Sequence, residues 1–158
     1  MDIDYLSLIR IVSATLAPIT AIAATIGGVI AYQQFRVNRD KFRLDLYEKR
    51  LHVYKALMSL LNTITVHSTV SLEEARTFIS ETHEATFLFG SDIPIYFDAV
   101  YKNTIQLKNN YDKLDDQKLQ IGTERSILVN QNTELFLWFA EQYKTGAQEK
   151  FKKYLSFR

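Results

Sequence analysis

The 158 residues include no cysteine, so no metal site can draw on thiolate ligands, and the composition fits a reducing cytoplasm without being tied to one. The three histidines, His52, His67 and His83, stand at no metal-ligand spacing. His83 and Glu84 follow Glu81 on one helix, a grouping that ordinarily marks a solvated face. The five glycines, Gly27, Gly28, Gly90, Gly122 and Gly146, compose no phosphate-cradling loop. No serine stands in a nucleophile elbow, and no stretch alternates with period two for long enough to be a strand. These absences leave no catalytic residue, metal or cofactor to assign, and they argue against an enzyme.

Charge is the next thing missing. Nothing between Ile11 and Phe35 is ionisable at neutral pH, and from Arg36 onward the chain turns basic. Residues 11–32, IVSATLAPITAIAATIGGVIAY, make a run of 22 residues. As a helix this run is about 33 Å long, enough for a hydrocarbon core of roughly 30 Å. The expected organisation is therefore a short external tail at 1–10, a transmembrane helix at 11–32 and a cytosolic helical domain at 33–158. Arg36, Arg39, Lys41 and Arg43 flank the run on its C-terminal side, whereas Asp2, Asp4 and Arg10 precede it. The positive-inside rule then places the N-terminus outside and the domain in the cytoplasm, at the inner membrane. Ala21-Ile22-Ala23 has the spacing of a signal-peptide cleavage site, but a signal peptide wants a basic start and this chain begins Met-Asp-Ile-Asp. Ala23, Gly27 and Ala31 repeat every four residues, as do Ala24 and Gly28, a spacing that lets helices approach closely in lipid. Pro18 lies within the run, and no ionisable group is present to line a pore.

The polar domain reads as all-α, a bundle of about four helices. No Gly or Pro occurs between Val29 and Phe89, and Leu44, Tyr47, Leu51, Tyr54, Met58 and Leu61 alternate steps of three and four. His67 to Val70 is a connector, and Ser71-Leu72-Glu73-Glu74 is a capping box opening a helix to Phe89, where Gly90 is expected as a left-handed stop. Ser91-Asp92-Ile93-Pro94 is a second start signal, with Ser91 as cap. Phe97, Val100, Tyr101, Thr104, Leu107, Tyr111 and Leu114 stripe the third helix, and Asp115-Asp116-Gln117 with Gly122 marks a break. A last helical region over 123–157 carries Ile127, Leu128, Leu135, Trp138, Phe139, Tyr143, Phe151 and Tyr154, with a possible interruption at Gly146. Tyr54, Met58 and Leu61 are expected to pack against a buried Trp138 and Phe139.

The domain's charge is segregated. Residues 71–98 hold Glu73, Glu74, Glu81, Glu84, Asp92 and Asp98 against Arg76 alone, and the tail from 144 holds Lys144, Lys150, Lys152, Lys153 and Arg158 against Glu149 alone. Attraction between the two, within the bundle or between protomers, is one reading. A basic surface for a small polyanion is the other. With a net charge of +1, duplex nucleic acid is not expected as a partner.

Three stretches, YQQFRVNRDKFRLDLYEKRLHVY, ELFLWFAEQYK and EKFKKYLSF, resemble a broad group of small bacterial proteins with one N-terminal span and a helical cytosolic domain. In size and layout the chain is also similar to the membrane-bound effectors of type III CRISPR systems that respond to cyclic tetra-adenylate. That resemblance implies a domain that binds a cyclic oligoadenylate and forms a homo-oligomer, whose spans then disrupt the lipid bilayer in antiviral defence. It carries over no ligand motif. On chemistry alone, the groups best suited to phosphates and adenines are Lys102, Asn109 and Tyr111 in the third helix and Lys150 and Lys153 in the tail. The alternative function is a membrane-anchored helical adaptor that docks a protein partner and takes no small ligand.

Overall fold

The computed structural model describes residues 5–116 and 122–156; within the first helix the side chains of residues 6–21 and 23 lie outside that description. All regular structure among the described residues is helical, as the sequence leads one to expect. The elements are α1 (Tyr5–His67), α2 (Leu72–Thr82), α3 (Ala85–Leu88), α4 (Asp92–Asp115), α5 (Thr123–Glu141), a π-helical turn (Gln142–Gly146) and α6 (Ala147–Leu155). The chain divides into two units, Met1–Leu44 and Asp45–Arg158.

In the first unit every side chain from residue 24 to residue 44 is exposed, including Ile26, Val29, Phe35 and Phe42. Among the described residues no helix is long and apolar enough to cross a membrane. Most of the charge-free run at 11–32 falls where side chains are outside the described residues, as do residues 1–4 of the expected external tail.

The second unit is built around one hydrophobic cluster. On α1 the buried residues are Val53, Ala56, Leu57, Leu60, Leu61 and Ile64, at steps of three and one that define one helix face. The predicted stripe lies beside it. Of its six members only Leu61 is buried, while Tyr54 and Met58 border the core and Leu44 is exposed. The two stripes differ by one residue, about 100° around the helix. The aliphatic one faces inward, where branched side chains fill the space without a polar group to satisfy.

The capping box is present: Ser71 N–H donates to the Glu74 carboxylate at 2.7 Å, and Glu74 N–H donates to Ser71 Oγ at 3.1 Å. The Ser71 backbone N–H first, and then the Ser71 hydroxyl, which donates to the same carboxylate at 2.8 Å, hold the Glu74 carboxyl below its usual pKa. The helix it opens does not reach Phe89. It ends at Thr82, whose Oγ1 donates back to the Phe78 carbonyl at 2.6 Å, while His83 Nδ1 lies 2.6 Å from the Ser80 carbonyl. Such back-bonding competes with the helical ladder, and the single turn α3 follows. Nor is Gly90 a left-handed stop, since no glycine has positive φ and the residue that does is Ser68 at 56°, just after α1. α4 starts where Asp92 and Pro94 predict, but Ser91 makes no side-chain cap bond. Its buried face includes Phe97, Val100, Thr104 and Leu107 of the predicted stripe, whereas Tyr111 is 44% exposed.

The last helical region is not broken at Gly146. The helix absorbs one wider π turn there, and a Cβ on Gly146 would collide with the Gln142 side chain. Gln142 Oε1 in turn accepts from the Tyr96 hydroxyl at 3.1 Å, and burial raises the pKa of that phenol. Phe139 is fully buried, while Trp138 is only partly buried and packs edge-on against Phe139 at 5.0 Å. Full burial therefore belongs to Phe139, not to both aromatics. Replacing Phe139 with Ala should cost about 3–5 kcal/mol, and Trp138→Ala clearly less, in urea unfolding of the full chain. Equal losses, or a larger loss at Trp138, would contradict this packing.

Candidate functional site

The one place where the structure gathers residues singled out for ligand chemistry is α6. Its position is set by Phe151, which is 1% exposed and ringed by Tyr54 at 5.2 Å, Phe89 at 5.2 Å and Phe97 at 6.0 Å. One turn on, the Tyr154 hydroxyl donates to Asp92 Oδ1 at 2.6 Å and accepts from Gly90 N–H at 3.0 Å. This is why residue 90 is glycine: a Cβ there would stand 2.7 Å from the Tyr154 hydroxyl. Arg50 completes the clasp. Its Nε donates to the Leu88 carbonyl at 2.9 Å, and its guanidinium lies 5.4 Å from the Tyr154 ring and 5.8 Å from that of Phe89.

On the outer side of α6 an open hollow of about 620 Å³ is lined by Asp92, Glu149, Lys150, Lys152, Lys153 and Ser156. Lys153 Nζ is 3.1 Å from Asp92 Oδ2 and sits 4.8 Å over the Tyr154 ring. The Tyr154 hydroxyl, then Lys153, holds the Asp92 carboxyl below its usual pKa, and Asp92 in turn holds the Lys153 ammonium above its own. Lys150 lies 5.7 Å over the Tyr96 ring. Lys150 and Lys152 take no part in an ion pair with a described residue, unlike Lys102 with Asp98, Lys108 with Asp112 and Lys153 with Asp92. Two ammonium groups outside any ion pair, beside a serine hydroxyl, suit an anionic group of phosphate or carboxylate size. The rings of Tyr96 and Tyr154 already carry cations on their faces, which leaves them poorly placed to stack a base.

The five predicted positions do not form one patch. Lys150 and Lys153 line the same hollow. Lys102 is exposed on α4 and paired with Asp98 at 3.2 Å. Asn109, seven residues on, projects within about 20° of Lys102, but Tyr111 is a further 200° or so around the helix and so points from nearly the opposite side. Sequence reasoning missed Lys152, Asp92, Tyr154 and Arg50 as members of this region. From the sequence Asp92 reads as a helix start and a member of the acidic segment attracted to the basic tail, an attraction seen in its pair with Lys153, whereas Tyr154 reads only as an apolar stripe position, because its meeting with Asp92 spans 62 residues. Among the described residues no group of three or more His, Asp or Glu side chains could hold a metal ion.

Two outcomes check this geometry. Gly90→Ala should destabilise the full chain, and less so when Tyr154 is Phe, so a double-mutant cycle of the two should be non-additive. The Asp92 carboxyl has a folded pKa below its unfolded value of 3.8, so its contribution is present above about pH 4 and is lost as pH falls through the folded value. Asp92→Asn should accordingly flatten the acid limb of a melting-temperature profile measured from pH 6 to pH 2. An unchanged limb would remove Asp92 from the account.

No protein-family model matches this chain, and neither a curated protein nor a solved structure is similar to it at a significant level.

Proposed function

We propose that the chain is a membrane-anchored helical docking module, without catalytic chemistry of its own, whose second unit recognises a protein partner in the cytoplasm. The observation that carries this reading is that the uncharged run at 11–32 lies on α1, whose apolar side chains from Ile26 to Phe42 are exposed and whose basic residues gather at 36–43. Such side chains gain free energy from lipid or protein contact, by roughly 25 cal/mol per Å² of apolar surface removed from water. Arg36, Arg39, Lys41 and Arg43 suit anionic headgroups at the cytoplasmic surface. The second unit supports docking over chemistry. Its buried polar residues Thr82, Thr104 and Asn110 are absorbed in helix and interhelix bonds, the buried Asn132 Oδ1 is without a partner, and its hollows are open ones at the surface.

A second reading, a sensor of a cyclic oligoadenylate whose oligomerised spans disrupt the membrane, is favoured by one feature: Lys150, Lys152 and Lys153 around a common hollow. Against it stand the ion pairs that already occupy Lys153 and Lys102, and the separation of Tyr111 from Asn109.

Expressed in bacteria, the full chain should sediment with membranes and resist alkaline carbonate, and a C-terminal reporter that works only in the periplasm should stay silent. Release into the supernatant, or an active reporter, would overturn the anchor or its orientation. Calorimetry of the detergent-solubilised chain with cyclic tri-, tetra- and hexa-adenylate separates the two readings. No heat at micromolar protein leaves docking as the function. Heat that weakens with salt and on neutralising Lys150 and Lys153 transfers the conclusion to the sensor.

A further inference from the structure

Two faces of the second unit carry opposite charge, and among the described residues the one ion pair on either face joins Lys153 of the basic face to Asp92. Two open hollows along the seam of α1 and α2 share Glu81: one of about 350 Å³ also holds Glu73 and Glu74, the other, of about 400 Å³, also holds Glu48 and Glu84 with Lys49. None of these five glutamates belongs to an ion pair among the described residues, although Glu74 is engaged in its capping box. The basic face is that of α6, where Lys150 and Lys152 likewise take part in no ion pair among the described residues. Residues 45–158 hold 15 acidic and 14 basic side chains, so the unit is close to neutral and its charges are separated, not in excess.

We propose that the acidic α1–α2 seam of one copy receives the basic α6 face of a second copy, making a head-to-tail contact. A foreign polycation would answer the seam and leave the lysines unmatched, and a foreign polyanion would do the reverse. A second copy answers both faces with the charges this sequence already holds. Because the two surfaces differ, the contact is heterologous and repeats into a ring or a row instead of closing as a two-fold dimer. Exposed ion pairs are weak one by one. For its strength the contact rests on the proposed anchor, which raises the local concentration of copies in the plane of the bilayer.

The absence of native cysteine makes the test clean. Thr77 lines the seam and Ser156 lines the α6 hollow, and both are exposed. Full chains bearing Thr77→Cys or Ser156→Cys are expressed alone or together as a mixture, and their membranes are isolated as inside-out vesicles and oxidised. Disulfide-linked dimers are expected in the mixture and not in either sample alone. Their yield should drop several-fold at about 0.5 M salt, where the screening length is roughly 4 Å. Lys150→Glu with Lys152→Glu on the Ser156→Cys chain should abolish the cross-link, and Glu73→Lys with Glu81→Lys on the Thr77→Cys chain should restore it. Equal linking in the unmixed samples, no linking in the mixture, or a yield indifferent to both charge reversals would overturn the proposal. Cross-linking reads the contact between copies and sedimentation reads the anchor, so the two can fail separately.

Discussion

The second unit depends on one ring. Phe151 projects from α6 into a site made by Tyr54 of α1, Phe89 at the end of α3 and Phe97 of α4, so a single side chain near the C-terminus touches three other parts of the bundle. Edge-to-face and tilted contacts at 5–6 Å add about 0.5–1.5 kcal/mol per pair beyond the area buried, and they fix ring orientation in a way that aliphatic packing does not. With Phe151 in place, Tyr154 arrives one turn later against Gly90 and Asp92, and the lysines between and beside them are turned outward.

That arrangement has an electrostatic consequence. Aromatic positions on α6 take the inward face, and the polar positions left over are mostly lysines, so the helix presents a basic side almost as a by-product of its packing. On α2 the same division leaves glutamates outward, with Glu74 serving the helix start. Among the ion pairs of the described residues none joins the two sides, and Lys153 pairs instead with Asp92 at the start of α4. The proposed docking rests on this charge, which is separated inside a nearly neutral unit.

The first unit poses a different physical problem. A helix with Ile26, Val29, Ile30, Phe35 and Phe42 all exposed has no use for those side chains in water. Lipid or a second helix is the environment they suit, and the small residues at four-residue spacing favour close helix contact there.

Much of the helical content was legible in the sequence, because the signals involved act over three or four residues. The capping box at Ser71, the start at Asp92 and the absence of Gly and Pro from 30 to 89 each specify local backbone geometry without reference to the rest of the chain. The all-α class follows from them. What lay beyond the sequence was every choice between adjacent faces or distant partners. Two apolar stripes one residue apart run along α1, and only the helices packed on it decide that Leu57 and Leu60 go in while Leu44 stays out. Gly90 looked like a helix stop, and its real constraint comes from a hydroxyl 64 residues away. Lys150 and Lys153 were found by composition, but that Lys153 is already paired while Lys150 and Lys152 are not was decided by where Asp92 ends up. Local periodicity and capping determine which segments are helical; long-range packing alone determines which of their side chains remain free to meet a partner.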